Sequence, residues 1–309
     1  MRVDLGKAAR GREVGVELRH LQAFVAVAEE LNFRRAAVRL HMSQPPLSQQ
    51  IKRLEHEVGV PLLRRTTRQV SLTAAGEAFL REARKTLESA EAAPRLARQA
   101  AAGEIGVVRL GFSGQTSYQV MLLIVRKFRE RYPDVRLDIV SPLYGGELVE
   151  RLHQQEIDAG LLRLPVPTEG LRVRELEQHP LAVALPEHHR LAGRSVGVAD
   201  LRGEPVISYP TNRGSVVNQL VQAACLRHGF SPRFVQEAPD THTILSLVGA
   251  GSGIGLVPAT AGHLKVPGVV LVPVHDAPPV PLALVWREDD PNPALAGLVG
   301  LLDEVAAEL

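Results

Sequence analysis

Apolar residues return at every third or fourth position along residues 17–31. Leu18, Leu21, Phe24, Ala28 and Leu31 fall on one side, the spacing of an amphipathic helix. Asn32 is placed to cap a second helix whose buried face is Phe33, Ala36, Ala37 and Leu40. After a break at His41 and Met42, Ser43 is expected to cap a third helix. Its stripe is Leu47, Ile51, Leu54 and Val58, and Gly59 ends it. Pro45 and Pro46 fall in the first turn, where a missing N–H has no intrahelical partner to lose. Two helices joined this tightly, with small alanines at the crossing, form a helix-turn-helix. Residues 62–65 and 69–72 then read as two short strands, a hairpin wing around Thr66, Thr67 and Arg68. Thr73 caps a long helix carrying Phe79, Leu80, Ala83, Leu87 and Ala90, stopped by Gly103. Pro94 is expected to kink that helix or end it near residues 90–93.

From residue 107 the pattern becomes an alternation. Strands are predicted at 107–112, 135–140 and 157–162, with helices at 116–132 and 146–154. A second set follows at 181–185, 205–208, 234–237 and 254–257, with helices at 216–228 and 243–249. Alternation predicts parallel strands with right-handed crossovers, arranged as two α/β subdomains with a cleft between them. The expected fold class is therefore α+β overall. A winged helix-turn-helix occupies 17–75, a linker or dimerisation helix 76–103, and a two-subdomain α/β domain 104–309. Residues 1–16 read as a disordered basic extension; the alternative is that translation starts at Val16 and residues 1–15 are not made.

Charge sharpens this division. Residues 1–103 hold 18 Lys and Arg against 11 Asp and Glu, whereas the remainder holds 18 against 23. A basic N-terminal third on an acidic body is the footprint of a polyanion-binding module. The longest apolar runs, such as residues 120–125, are far too short to span a bilayer, so no membrane partner and a cytoplasmic location are expected. The one cysteine, Cys225, lies on an apolar helix and reads as a buried structural thiol.

The exposed side of the third helix supplies the chemistry. Gln44, Pro45, Ser48, Gln49, Lys52, Arg53 and His56 lie away from its apolar stripe. Gln pairs bidentately with adenine, Ser serves several base edges, and Lys or Arg reaches guanine or phosphate. Arg64, Arg65, Thr66, Thr67 and Arg68 on the wing suit phosphate or minor-groove contacts. These residues other than His56, with Ser43, are the candidate DNA-binding set.

Residues 17–79, with "VAEELNF", "SQPPLSQQIKRLE" and "LTAAG", resemble the DNA-binding domain of LysR-type transcriptional regulators. The order of segments extends the resemblance across nearly all of residues 17–309. Pro46 departs from the family pattern, standing where a small residue such as Ala or Ser is usual, and Pro94 is a second departure. The resemblance implies a periplasmic-binding-protein type effector domain that the chain enters, leaves and re-enters. It also implies pairing of two subunits through the linker helix, with dimers commonly joining into a tetramer. The partners it implies are an interrupted palindrome of double-stranded DNA in a promoter, a small effector and RNA polymerase.

In open α/β sheets ligands bind beyond the carboxyl ends of strands, near helix N-termini that favour anions. That gathers Ser113, Gln115, Thr116, Ser117, Tyr144, Gly145, Arg163, Tyr209, Thr211, Asn212, Arg213 and Ser215 as candidate effector-binding residues. Arg163 or Arg213 would pair with a carboxylate. "LGFSGQTSY", "FRERYPDV" and "ISYPTNRGS" are similar to the branch that senses aromatic acids or their ring-cleavage products.

Enzyme chemistry finds little support. Gly249, Gly251, Gly253 and Gly255 precede a strand, whereas a dinucleotide fingerprint follows one. Glu187-His188-His189 lacks metal-ligand spacing, and no G-x-S-x-G elbow occurs. No cofactor, metal or catalytic residue is expected. The alternatives to an effector-switched regulator are an effector-independent DNA-binding protein and a solute-binding protein.

Overall fold

A computed structural model of the chain describes residues 15–66, 69–114 and 117–309. Expectations for residues 1–14, Thr67, Arg68, Gln115 and Thr116 lie outside the described residues. The chain divides into two compact units between Arg98 and Gln99.

The first unit begins with α1 (Leu18–Glu30), α2 (Phe33–Arg39) and α3 (Gln44–Val58). The strands β1 (Leu63–Arg65) and β2 (Val70–Leu72) pair antiparallel as the wing, and α4 (Ala74–Ala101) follows. Asn32 caps α2 as expected, accepting from the Arg34 and Arg35 amides at 2.9 and 3.1 Å. Ser43 stands at the N-cap of α3 but makes no capping hydrogen bond. The reason lies in the sequence: a capping side chain accepts from the second or third helical N–H, and those positions are Pro45 and Pro46. Gly59 closes α3 at φ +84°, a left-handed conformation that costs glycine little.

Phe24, Leu47, Ile51, Leu54 and Leu62 are fully buried between the three helices and the wing. The start of α4 completes this core, with Phe79 set edge-on to Phe24 at 5.2 Å. Thr73 ties the junction: its amide donates to the Leu62 carbonyl at 3.0 Å and its hydroxyl accepts from Gly76 at 2.9 Å. Gly76 passes so close beneath Leu62 that a Cβ there would lie 2.0 Å from the Leu62 carbonyl oxygen. Of the two outcomes expected at Pro94, an end at residues 90–93 does not occur; α4 continues through Pro94 to Ala101. The proline ring is exposed and the flanking Ala, Arg and Leu residues are strong helix formers, which offsets one missing hydrogen bond.

The second unit holds β3 (Gly106–Ser113), α5 (Tyr118–Arg131), β4 (Val135–Leu143), α6 (Gly145–His153), β5 (Ala159–Arg163), β6 (Leu171–His179) and β7 (Leu181–Pro186). Next come β8 (Pro205–Ser208), α7 (Val216–Arg227), β9 (Arg233–Glu237), α8 (Thr241–Gly249) and β10 (Ile254–Pro258). β11 (Val269–Pro273), β12 (Val280–Arg287), α9 (Pro293–Gly300) and α10 (Leu302–Ala306) complete it. Two five-stranded sheets result, ordered β4-β3-β5-β12-β6 and β11-β7-β10-β8-β9. They are mixed: β3 runs parallel to β4 and β5, and β8 to β9 and β10, as expected, whereas β12 runs antiparallel to β5 and β6, and β7 antiparallel to β10 and β11. The chain passes from the first sheet to the second at Pro180 and returns between β11 and β12. Each crossing reverses the direction in which a strand enters its sheet, and no helix marks it.

Each lobe has its own core. In the first, Leu110, Ile124, Phe128, Leu161, Leu284 and Leu298 pack one face of the sheet under α5 and α9. Leu148 and Leu152 of α6 cover the other face. In the second, Val183, Ile207, Val221, Ile244 and Val257 join the sheet to α7 and α8, with Cys225 buried among them.

Replacing Gly76 with Ala forces the linker away from the wing. The expected cost is about 1–3 kcal/mol, typical of overpacking, seen as a lower urea midpoint for the first unit. An unchanged midpoint would show that the junction yields freely.

Candidate nucleic-acid interface and effector cleft

On α3 the buried Leu47, Ile51 and Leu54 turn Gln44, Pro45, Gln49 and Lys52 outward, all exposed, with Ser48 partly so. Among the described residues, the side chains of Gln44, Ser48, Gln49 and Lys52 carry no intramolecular hydrogen bond or ion pair. Ser43 joins them, since the prolines leave its hydroxyl without a capping role. A groove of about 450 Å³ runs beside this face, lined by Asn32, Phe33, Arg34, Gln44, Ser48, Arg65, Thr66 and Gln69 among others. It brings the start of α2, the start of α3 and the wing to one surface.

The arginines separate into two kinds. Arg64 is exposed and unpaired among the described residues. Arg65 donates to Glu55 at 3.1 Å, and its guanidinium lies 4.8 Å from the centre of the Phe33 ring. Glu55 also accepts from the Leu62 and Leu63 amides at 2.9 and 3.0 Å. Arg65 therefore fixes the wing against α3 and neutralises the carboxylate behind it. Arg53 is likewise engaged, with Glu57 at 2.9 Å and Glu17 at 3.8 Å. Two residues on this surface were not foreseen, Arg34 and Gln69. Arg34 had a legible signal: a cation in the first turn of a helix whose N-terminus itself favours phosphate.

Farther along, Glu29 binds Arg39 of α2 at 2.6 Å and Arg84 of α4 at 2.7 Å. The hydrogen bond from Arg84 is the chief cause that holds its carboxyl below the usual range.

In the second unit the carboxyl ends of β3, β5 and β8 carry Ser113, Arg163 and Ser208. Arg163 is buried. One of its terminal nitrogens lies 2.9 Å from His179 Nδ1 and donates to the Val280 carbonyl at 3.2 Å. His179 Nε2 lies 2.7 Å from Glu177. Burial pulls the guanidinium down to about 10, leaving it charged at neutral pH. Burial, then the Arg163 charge, push His179 below its ordinary value, so its neutral ring accepts from Arg163 and donates to Glu177.

Several expected ligand contacts prove to be occupied within the protein. The Ser117 hydroxyl donates to the Ser113 and Gly114 carbonyls, both at 2.8 Å. Ser215 caps α7 through Asn218. Thr211 bonds Glu237 through both amide and hydroxyl. Tyr209 is buried, with its hydroxyl 2.8 Å from that of Thr241, and burial raises its phenol. Asn212 is exposed on the loop. Tyr144, Gly145 and Arg213 do converge, with the Arg163 carbonyl beside them and its guanidinium turned to His179. A Cβ on Gly145 would meet Val166, Val216 and the Arg163 carbonyl, and the Arg213 guanidinium lies 4.5 Å from the centre of the Tyr144 ring. Arg213 is also paired with Glu147 at 2.8 Å.

A winged helix-turn-helix with an open polar recognition face, followed by a helix and a two-lobed α/β domain with arginines between its lobes, defines a regulator with a DNA reader and a sensor. Comparison agrees. Residues 18–77 match the "Bacterial regulatory helix-turn-helix protein, lysR family" and residues 101–307 the "LysR substrate binding domain". The chain belongs to the LysR family of DNA-binding transcriptional regulators. It is 42% identical over 250 residues to the HTH-type transcriptional regulator AlsR of Bacillus subtilis (strain 168), covering 81% of this chain and 82% of that one. It is 38% identical over 297 residues to the Hca operon transcriptional activator HcaR of Escherichia coli (strain K12), covering 95% and 99%. Its fold is similar to full-length CbnR complexed with its target DNA, with TM-score 0.76 and 30% identity, covering 94% of this chain and 100% of that one. Among the described residues no helix is long and apolar enough to cross a membrane.

The depressed His179 sets a pH dependence. The folded state holds fewer protons on this ring than the unfolded chain as pH falls through 6.5, so stability is present above that pH and is lost below it. His179→Gln should flatten the melting-temperature slope on the acid side of neutrality. A variant with the parent slope would show that His179 does not carry it.

Proposed function

We propose that this regulator reads promoter DNA with Ser43, Gln44, Ser48, Gln49 and Lys52 in the major groove while the wing and the start of α2 hold the backbone. The observation that carries this reading is the row of exposed, internally unpaired polar side chains at the start of α3. Such groups are costly to leave unused at an interface and ready to pair with base edges. Arg64 and Arg34 are assigned to phosphate, and Arg65 to holding the wing in place. The division into a reader at 17–75, a linker at 76–103 and a sensor at 104–309 follows the same logic.

Two copies pair through α4, whose Leu87 and Ala90 are only partly covered and whose Leu96 is exposed within one chain. Two dimers then join on an interrupted palindrome. A small carboxylate between the lobes shifts the packing of the copies, and with it DNA bending and the surface offered to RNA polymerase. A ligand does this only by preferring one arrangement. Binding rather than catalysis is the task of the sensor, and the site of action is the cytoplasm, where the DNA is.

Association of the purified protein with the DNA upstream of its own gene should weaken steeply with salt; salt-independent association, or none, would remove the reading. Gln49→Ala should relax base preference by about 1–3 kcal/mol at one position, measured by binding-site enrichment. Arg64→Gln should lower the slope of log affinity against log salt by about one. Unaltered site selection or slope would free the respective residue from its role.

A further inference from the structure

The pairing of Arg213 has a second side. Arg213 belongs to the loop after β8 in the second lobe, whereas Glu147 and Tyr144 belong to the start of α6 in the first. Both the Nε and an Nη of Arg213 lie 2.8 Å from one oxygen, Glu147 Oε1. The other oxygen, Oε2, accepts from the Tyr144 amide at 2.9 Å and so caps α6. The Tyr144 hydroxyl continues across the gap to donate to the Pro239 carbonyl at 2.5 Å. The backbones close up beside it: a Cβ on Gly214 would stand 3.3 Å from the Gly146 Cα. These contacts, with the Arg213 guanidinium over the Tyr144 ring, tie the two lobes together.

We propose that Glu147, Arg213 and Tyr144 form a strap that holds the lobes together before effector arrives, with the Glu147 carboxylate standing where an effector carboxylate will bind Arg213. The proposal rests on the anionic-effector reading above. Its physical basis is the uneven geometry of the pair. An arginine fork is best matched by two oxygens, yet Glu147 offers one because its other oxygen is committed to the helix cap. An incoming carboxylate supplies both. Glu147, once released, keeps its capping bond and its favourable place at a helix N-terminus. Both side chains are partly open to solvent, 43% for Arg213 and 29% for Glu147, so the exchange needs no unfolding.

Full-length protein and the variants Glu147→Gln and Arg213→Gln test this, with benzoate as the probe. In protein without benzoate, Glu147→Gln, which keeps an oxygen for the Tyr144 amide, should speed hydrogen–deuterium exchange in peptides covering 144–152 and 209–219. Glu147→Gln should also tighten benzoate binding by roughly five-fold, the effect of removing one partly exposed ion-pair competitor, and Arg213→Gln should abolish that gain. Unchanged exchange in Glu147→Gln overturns the strap. Faster exchange without tighter benzoate binding overturns the competition. DNA association measured on the same samples reports separately on the regulator reading, because neither residue lies in the DNA-binding unit.

Discussion

Glu55 and the peptide of Leu62 form the joint on which the DNA-binding unit depends. The carboxylate leaves the recognition helix, receives two amides from the start of the wing and is neutralised by Arg65. The carbonyl of the same Leu62 receives Thr73 and lies over Gly76, so the next helix starts from the same peptide. Hydrogen bonds to an ionised, half-buried carboxylate are among the stronger ones available to a protein. Recognition helix, wing and the start of the linker are therefore held as one piece. A negative charge this near a polyanion would otherwise repel it, which gives Arg65 an electrostatic reason to be where it is.

The sensor rests on a different constraint. Two chain crossings between the sheets, at Pro180 and before Val280, leave strands that belong to one lobe while ending against the other. Arg163, His179 and Val280 meet at these ends. A charged group buried there is tolerable only because its neighbours solvate it. The position between lobes makes its surroundings sensitive to how far apart they stand.

Much of this was written plainly in the chain. The three N-terminal helices, the wing and the Asn32 cap follow from apolar spacing and local chemistry, as do strands β3 to β5 and β7 to β10. Strands β6, β11 and β12 were not legible. β6 is an edge strand of mixed charged and apolar residues without alternation, and β11 and β12 lie among prolines. Local periodicity also cannot report what a side chain does after folding. Ser117, Ser215 and Thr211 look like free hydroxyls in sequence, but Ser117 is consumed by its own loop, Ser215 by the cap of α7 and Thr211 by Glu237 at the end of β9. Ser43 is the reverse case: it resembles a cap, and two prolines remove the amides it would have capped.

Those prolines have a counterpart in the linker. Pro94 sits inside α4 with its ring in solvent, and the carbonyl of Ala90, four residues earlier, has no helical N–H to receive. A rod missing one rung is softer at that rung, and only there. The softer point falls within the linker, about one turn before the chain passes from one compact unit to the next.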